Sequence, residues 1–257
     1  MLSVSTDIIV LAALVVFAGG VVKGTVGFGY AITSTALLAV LLSPATAVTV
    51  MILPMLVTNL TLLRELDREK FRSCLVRFWP YVGAAMAGTV VGMLLLESVP
   101  TAVLTVGLGA FTLLYVLVKQ PWIQLPGEQA VADYCFTTGT VAKVGLGLVS
   151  GVVFGLSNVA VQVVAYLDSL SLDRSTFVGV LAMILVGVSS LRVGLAWQFG
   201  LYGSGDLLLY SLLASAPGIV GVAVGKRIRT WAPESYQQAG VLVLLTSIGV
   251  RLLSKGL

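Results

Sequence analysis

Arg192 is the only Asp, Glu, Lys or Arg between residues 175 and 205, in a run otherwise made of apolar and small polar side chains. A guanidinium in such a setting costs at least about 2.5 kcal/mol on membrane-insertion scales. A cation kept at that cost lines a pathway, snorkels to an interface, or pairs with a loop carboxylate such as Asp206. Ser157, Asn158 and Gln162 put three uncharged polar side chains into a second apolar stretch. Hydroxyl and amide donors there can hold an oxyanion without trapping it, or they can hydrogen-bond neighbouring helices. Thr25, Tyr30, Thr33 and Asn59 are candidates of the same kind in the first half. Between Thr25 and Tyr30, Gly27, Phe28 and Gly29 belong to a glycine-rich stretch, GTVGFGYAIT, that begins at Gly24. Such glycines either break a helix, leaving backbone N–H groups and a positive helix end for an anion, or let two helices pack closely. GVVFGLSNVA, containing Gly151 and Gly155, is a second copy. Lys23 is less telling, because a lysine near a cytoplasmic helix end follows from the positive-inside rule alone.

Other chemistries find no support. The chain has no histidine, which removes Ser-His hydrolysis, histidine metal sites and histidine proton relays. Asp168, close to Tyr166, could belong to an intramembrane aspartyl protease only with a second membrane-embedded Asp. Asp7, Asp67, Asp133, Asp173 and Asp206 instead fall at segment ends or in loops. The same scarcity leaves no carboxylate inside the membrane to couple transport to protons. A nucleotide-binding reading of the glycines fails, since neither a strand nor a long soluble domain accompanies them. The expectation is a protein that is not an enzyme and needs neither metal nor cofactor.

The elements that must position these residues are transmembrane helices. Of the 257 residues 58% are hydrophobic and only 10% charged, against about a quarter charged in soluble domains. The mean hydropathy is +1.05. About 20 apolar residues cross the hydrocarbon, where helices keep every backbone group bonded. Charge-free stretches of that order recur at 24–63, 144–167 and 207–225. Apolar runs punctuated by Pro, Gly and charge predict segments near 7–23, 27–42, 44–63, 78–97 and 101–119 in the first half. The second half gives 140–155, 158–170, 175–199, 206–226 and 234–253. The first two of each half are short or glycine-interrupted and read as half-helices or re-entrant segments, so eight to ten spans are expected. Asp7 precedes Lys23 with no basic residue before it, so the first segment lacks the basic start of a signal peptide. Cys74 and Cys135 lie in the two longest polar connections and imply reduced thiols rather than a disulfide.

The halves read as repeats. Gly88, Gly92 and Pro100 recur as Gly221, Gly225 and Pro233, all three at one constant spacing. Gly20 and Gly24 recur as Gly147 and Gly151, again at a shared and slightly shorter spacing. Basic clusters at Arg64, Arg68, Lys70, Arg72 and Arg77, and at Lys226, Arg227 and Arg229, are separated by six segments and so share one face. The positive-inside rule makes that face cytoplasmic, explains the net charge of +4 without a nucleic-acid partner, and puts both termini outside. An odd number of segments per half inverts the repeats. The fold class expected is therefore all-α: a polytopic bundle of two inverted repeats of about five segments, with interrupted or re-entrant helices. Residues 1–125 form the first repeat with its basic loop at 64–77, 126–139 a linker, and 140–257 the second repeat. Such architecture puts a substrate site near the bilayer midplane, with the two glycine-rich stretches approaching across a pseudo-two-fold axis.

The ordered motifs GGVVKGTVGFG (19–29), SPATAV (43–48), GLGLVSGVVFG (145–155) and IGVRLL (248–253), with the Gly-Gly-Pro closing of each half, resemble the TauE/SafE family of sulfite exporters and sulfonate permeases. LSNVAVQ (156–162) is more polar than a plain glycine-rich turn. The resemblance spans essentially the whole chain and implies a plasma-membrane transporter of small sulfur-containing or organic anions. Its expected partners are the anionic substrate and the lipid bilayer, with a homodimer left open. A channel-like permease for another small anion, and a scaffold or assembly factor that transports nothing, are the alternatives. A scaffold would not need duplicated breaks and buried polar groups.

Overall fold

The computed structural model describes residues 6–27, 29–63, 68–96, 98–119, 140–168, 174–203, 205–230 and 234–256. The described residues form an all-α bundle. The first half contains α1 (Thr6–Val26), α2 (Tyr30–Leu41), α3 (Pro44–Val50), α4 (Ile52–Leu63), α5 (Arg68–Leu96) and α6 (Thr101–Lys119). The second contains α7 (Thr140–Ser157), α8 (Val161–Asp168), α9 (Arg174–Gln198), α10 (Asp206–Arg229) and α11 (Glu234–Gly256). Among the described residues six stretches are long and apolar enough to cross a membrane: Ile8–Thr25, Pro44–Leu63, Phe78–Leu96, Thr140–Ser157, Thr176–Gln198 and Asp206–Arg229. The span Pro44–Leu63 runs through both α3 and α4. It starts with Pro44 in the first turn, where a missing N–H costs nothing, and with the Ser43 hydroxyl accepting from the Thr46 N–H at 3.2 Å.

Two expectations about these elements are corrected. The basic stretch 64–77 is not a loop throughout, because α5 begins at Arg68 and continues for 29 residues. Lys, Arg and Glu are good helix formers and extend the helix beyond its apolar part, which begins at Phe78. The leading segments of the halves are also full-length helices, of 21 residues in α1 and 18 in α7. Only their successors are short, 12 residues in α2 and eight in α8.

Glycine stripes set the packing. Gly20 and Gly24 of α1 lie against Gly221 and Gly225 of α10, and Gly147, Gly151 and Gly155 of α7 lie along Ala85, Thr89 and Gly92 of α5. A Cβ on Gly24 would stand 2.3 Å from the Val222 carbonyl oxygen, and one on Gly151 2.1 Å from that of Ala85. Backbones this close admit no side chain, and small residues give membrane helices their van der Waals contact. Tyr81 donates to Ser150 at 2.9 Å and Thr89 to the Gly151 carbonyl at 3.2 Å, bonding α5 to α7. The ascending residue order makes each pair parallel, so the leading helix of each half packs on the third span of the other. Gly109 of α6 meets Gly249 and Leu252 of α11, while Gly256 meets Val106, so the closing helices are antiparallel. α2 turns back along α1, with Ser34 facing Gly19. The C-terminal ends of α1, α4 and α10 thereby gather at one end of the bundle: Lys23 bonds Thr58 and Asn59, and Gly24 abuts Lys226.

Candidate functional site

The chain breaks twice where polar side chains meet. Between α1 and α2 the break is made by Gly27 (φ 94°) and Gly29 (φ 90°), left-handed conformations that a side chain would strain. Between α7 and α8 the same role falls to Asn158 at φ 62°, and asparagine tolerates this region better than most residues.

Asn158 is fully buried and spends its amide on three partners. Its Nδ2 donates to Thr35 Oγ1 on α2 and to the Val48 carbonyl on α3, each at 3.1 Å. Its Oδ1 accepts from Arg192 Nη1. Arg192 has no exposed surface and therefore does not snorkel. Its guanidinium carbon stands 5.0 Å from the centre of the Phe154 ring, a cation–π contact. Its Nε and Nη2 have no hydrogen-bond partner among the described residues. These two nitrogens form one edge of the guanidinium plane, with parallel N–H bonds matching the two oxygens of a planar or tetrahedral oxyanion. Ser189, one turn earlier on α9, and Tyr202, in the turn after it, are buried, and their hydroxyls have no partner among the described residues. Burial pushes the Tyr202 phenol up to about 12, and the Arg192 cation works against that rise.

A second polar cluster lies at the other break. Lys23, which the positive-inside argument treated as an interfacial residue, is buried. Its Nζ donates to Asn59 Oδ1 at 2.5 Å and Thr58 Oγ1 at 3.1 Å, and sits 5.4 Å from the centre of the Tyr30 ring. Asn59 Nδ2 has no partner among the described residues. Lys23, Gly27, Gly29, Tyr30, Ala31 and Ile32 line a cavity of about 30 Å³. Its far wall includes Ala160 and Val164 from the second break and α8.

The remaining expected residues separate by role. Gly24, Gly151 and Gly155 are packing glycines, since a Cβ on Gly155 would meet the Thr89 carbonyl at 2.8 Å. Thr25 donates to the Val22 carbonyl at 2.8 Å, and Ser157 to that of Val153 at 2.6 Å, while also accepting from the Val159 N–H at 3.2 Å. Tyr30 and Thr33 are buried, and their hydroxyls have no partner among the described residues. Phe28 lies outside the described residues, as do Cys135 and the 126–139 linker. Gln162 is on α8. Sequence reasoning missed Thr35, Thr58, Ser189 and Tyr202, whose residue types are common in any helix and whose meaning comes from the neighbours the fold supplies. It also discounted Lys23, although a lysine within a glycine-rich break was a visible signal.

The two breaks thus gather buried basic side chains, neutral hydroxyl and amide partners, and donors with no partner among the described residues. No curated protein and no solved structure matches the chain. Residues 11–252 match the family model described as sulfite exporter TauE/SafE. That span covers nearly all of the chain, and the protein belongs to this family, whose members are multi-pass membrane transporters rather than enzymes.

Proposed function

We propose that this protein moves a small oxyanion, sulfite or an organosulfur anion such as a sulfonate, across the plasma membrane by alternating access between two inverted repeats. The observation carrying this reading is the spare edge of Arg192, two buried guanidinium nitrogens without a partner among the described residues. A buried donor left unsatisfied costs about 1–3 kcal/mol, more when charged. An arrangement serving stability alone would fill that edge with a carboxylate or a backbone carbonyl. Here Asn158 holds one nitrogen and aims the rest, while Phe154 supports the cation without neutralising it. An anion leaving water needs replacement donors and positive potential, and one cation with neutral amides provides both without trapping the ion. Arg192 is sealed from solvent, so an anion reaches it only after the bundle opens, which rocking of one repeat against the other supplies. Both termini then lie outside, and the ends of α4 and α10 face the cytoplasm.

Purified protein in liposomes, assayed with a panel of sulfite, thiosulfate, methanesulfonate, sulfoacetate and simple carboxylates, tests the proposal. Sulfite or a sulfonate should be carried, and Arg192→Ala should lower that flux by roughly a hundredfold, the loss expected for a buried charged hydrogen bond worth about 2–3 kcal/mol. Carriage of none of these anions by folded protein would favour the scaffold reading. Wild-type flux in Arg192→Ala would place the residue outside the pathway.

A further inference from the structure

We propose that Lys23, Asn59 and the N-terminus of α2 form a second oxyanion station, distinct from the Arg192 station and reached from the opposite end of the bundle. This inference rests on the transport reading above and adds a site to it. Lys23 is an ammonium with three donors, buried, and its two hydrogen-bond acceptors among the described residues are a hydroxyl and an amide. The Thr58 hydroxyl gives its own proton to the Pro54 carbonyl at 2.7 Å, leaving its lone pairs for the ammonium. Neither acceptor carries charge, so the cation is solvated but not neutralised.

The start of α2 adds to that positive potential. Gly29 caps it without a side-chain hydrogen bond, and the first helical N–H to bond back is that of Thr33, to the Gly29 carbonyl at 2.9 Å. The N–H groups of Tyr30, Ala31 and Ile32 have no carbonyl four residues back within the helix, and all three residues line the cavity with Lys23. The opposite end of α2 is treated differently: Lys255 donates to the Ala39 and Val40 carbonyls at 3.3 and 3.0 Å, answering the negative end of the helix dipole. A second observation points independently to a ligand. Asn59, only 1% exposed, holds Lys23 through Oδ1 and leaves Nδ2 of the same amide without a partner among the described residues. A cavity of about 30 Å³ accepts a water molecule but not a sulfite, so the station fills when the pathway opens.

The repeat relates the two stations. Asn59 and Arg192 are separated by the same spacing that relates Gly88 to Gly221 and Pro100 to Pro233. In the first half the cation stands before the break and the amide on the following long span; in the second the amide is at the break and the cation on the long span. Lys23 and Asn59 sit near the end where α4 and α10 finish. Arg192 and Asn158 sit nearer the end where α3 begins and α9 finishes. α2 connects them: Tyr30 belongs to the first station and Thr35 to the second, about 7.5 Å apart at 1.5 Å per residue. Between them Thr33 carries a buried hydroxyl with no partner among the described residues. An anion handed along α2 passes from one cation to the other.

The test measures sulfite and methanesulfonate flux in sided vesicles, each anion presented in turn at either face. Lys23→Met should raise KM about tenfold for anion presented at the face where α4 and α10 end, and change KM at the other face less than threefold; Arg192→Ala should show the reverse bias. Asn59→Asp keeps Lys23 but sets a carboxylate against it, and should reproduce the Lys23→Met defect if that variant fails to fold. Lys23→Arg should stay within a few-fold of wild type. Unchanged KM at both faces in folded Lys23→Met or Asn59→Asp, with wild-type protein active, overturns the second station and leaves the transport reading standing. Wild-type protein that carries neither anion overturns both.

Discussion

The break before α2 and the break before α8 solve the same backbone problem with different side chains. At the first, glycines take the left-handed conformation and a lysine one turn upstream supplies the charge. At the second, Asn158 takes that conformation itself and reaches an arginine on a distant helix. The consequence is a difference in rigidity. Asn158 ties α2, α3 and α9 together through one amide, whereas the glycines tie nothing and leave Lys23 to be held by α4. Lysine is a compact charge on a flexible stem, and arginine a planar fork. The second break therefore reads as the station with shape selectivity, and the first as the station that attracts an anion by charge.

The largest effect that could break this comparison is the response to exchanging the cations. Arg192→Lys keeps a charge but loses the paired edge of Nε and Nη2, so its flux should fall nearly as far as that of Arg192→Ala, by about 1.5–3 kcal/mol of binding. Lys23→Arg should do far less harm. Comparable flux in the two exchanges would mean that neither station reads shape. Somewhat smaller is the effect of Asn158→Gly, which keeps the left-handed backbone but removes the amide from Thr35, Val48 and Arg192. It should fold, and should lose about tenfold in flux because Arg192 is no longer aimed.

At the first break the corresponding change acts on stability. Gly29→Ala introduces a Cβ at φ 90°, with Val22 Cγ1 only 3.2 Å from it. Strain of this kind costs about 1–3 kcal/mol, read as a lower midpoint of thermal unfolding in detergent, with flux in the surviving protein little changed. If Gly29→Ala abolished flux in protein of wild-type stability, the glycine would be acting on the anion and not on the turn.

Much of this arrangement was legible beforehand. Hydropathy and punctuation located the spans because a bilayer enforces runs of about 20 apolar residues, and the short α2 and α8 were visible as segments too brief to cross. The constant spacing between Gly88 and Gly221, Gly92 and Gly225, and Pro100 and Pro233 is the sequence signal for two repeats, and Arg192 stood out by charge alone. The meaning of individual glycines was not legible: Gly24 and Gly27 lie less than one helical turn apart, yet one seats α10 and the other turns the chain. Local sequence is the same kind of signal in both cases, and only the neighbour decides. Lys23 was passed over for a related reason, since charge near a helix end has a sufficient explanation in topology. Its burial depends on α4 folding over it, and nothing in residues 19–29 records that α4 will present Thr58 and Asn59 there. The contacts of Asn158 with Thr35 and Val48 join positions in opposite halves of the chain and follow no local pattern.

The smallest effect sharpens the comparison at Tyr30, which supports Lys23 as Phe154 supports Arg192. The Tyr30 ring lies 5.4 Å from the Lys23 ammonium, but its hydroxyl is buried without a partner among the described residues and fits into the space left by Gly218 on α10. If the ring alone matters, Tyr30→Phe should keep flux within about twofold, because a phenyl face retains most of a cation–π contact. It should also lose no stability, and gain up to about 1 kcal/mol by removing an unsatisfied polar atom. Gly218→Ala provides the control. Its new Cβ would stand 2.4 Å from the Tyr30 hydroxyl oxygen but at ordinary distances, 3.4 Å, from the ring carbon behind it and from Val16. Alone it should destabilise α1 and α2 against α10; combined with Tyr30→Phe it should cost much less, a coupling of about 1 kcal/mol or more in a double-mutant cycle followed by thermal unfolding. Additive effects would show that the hydroxyl does not occupy the Gly218 notch. A tenfold loss of flux in Tyr30→Phe would make the hydroxyl itself a donor to the anion, and the first station would then read shape as the second does.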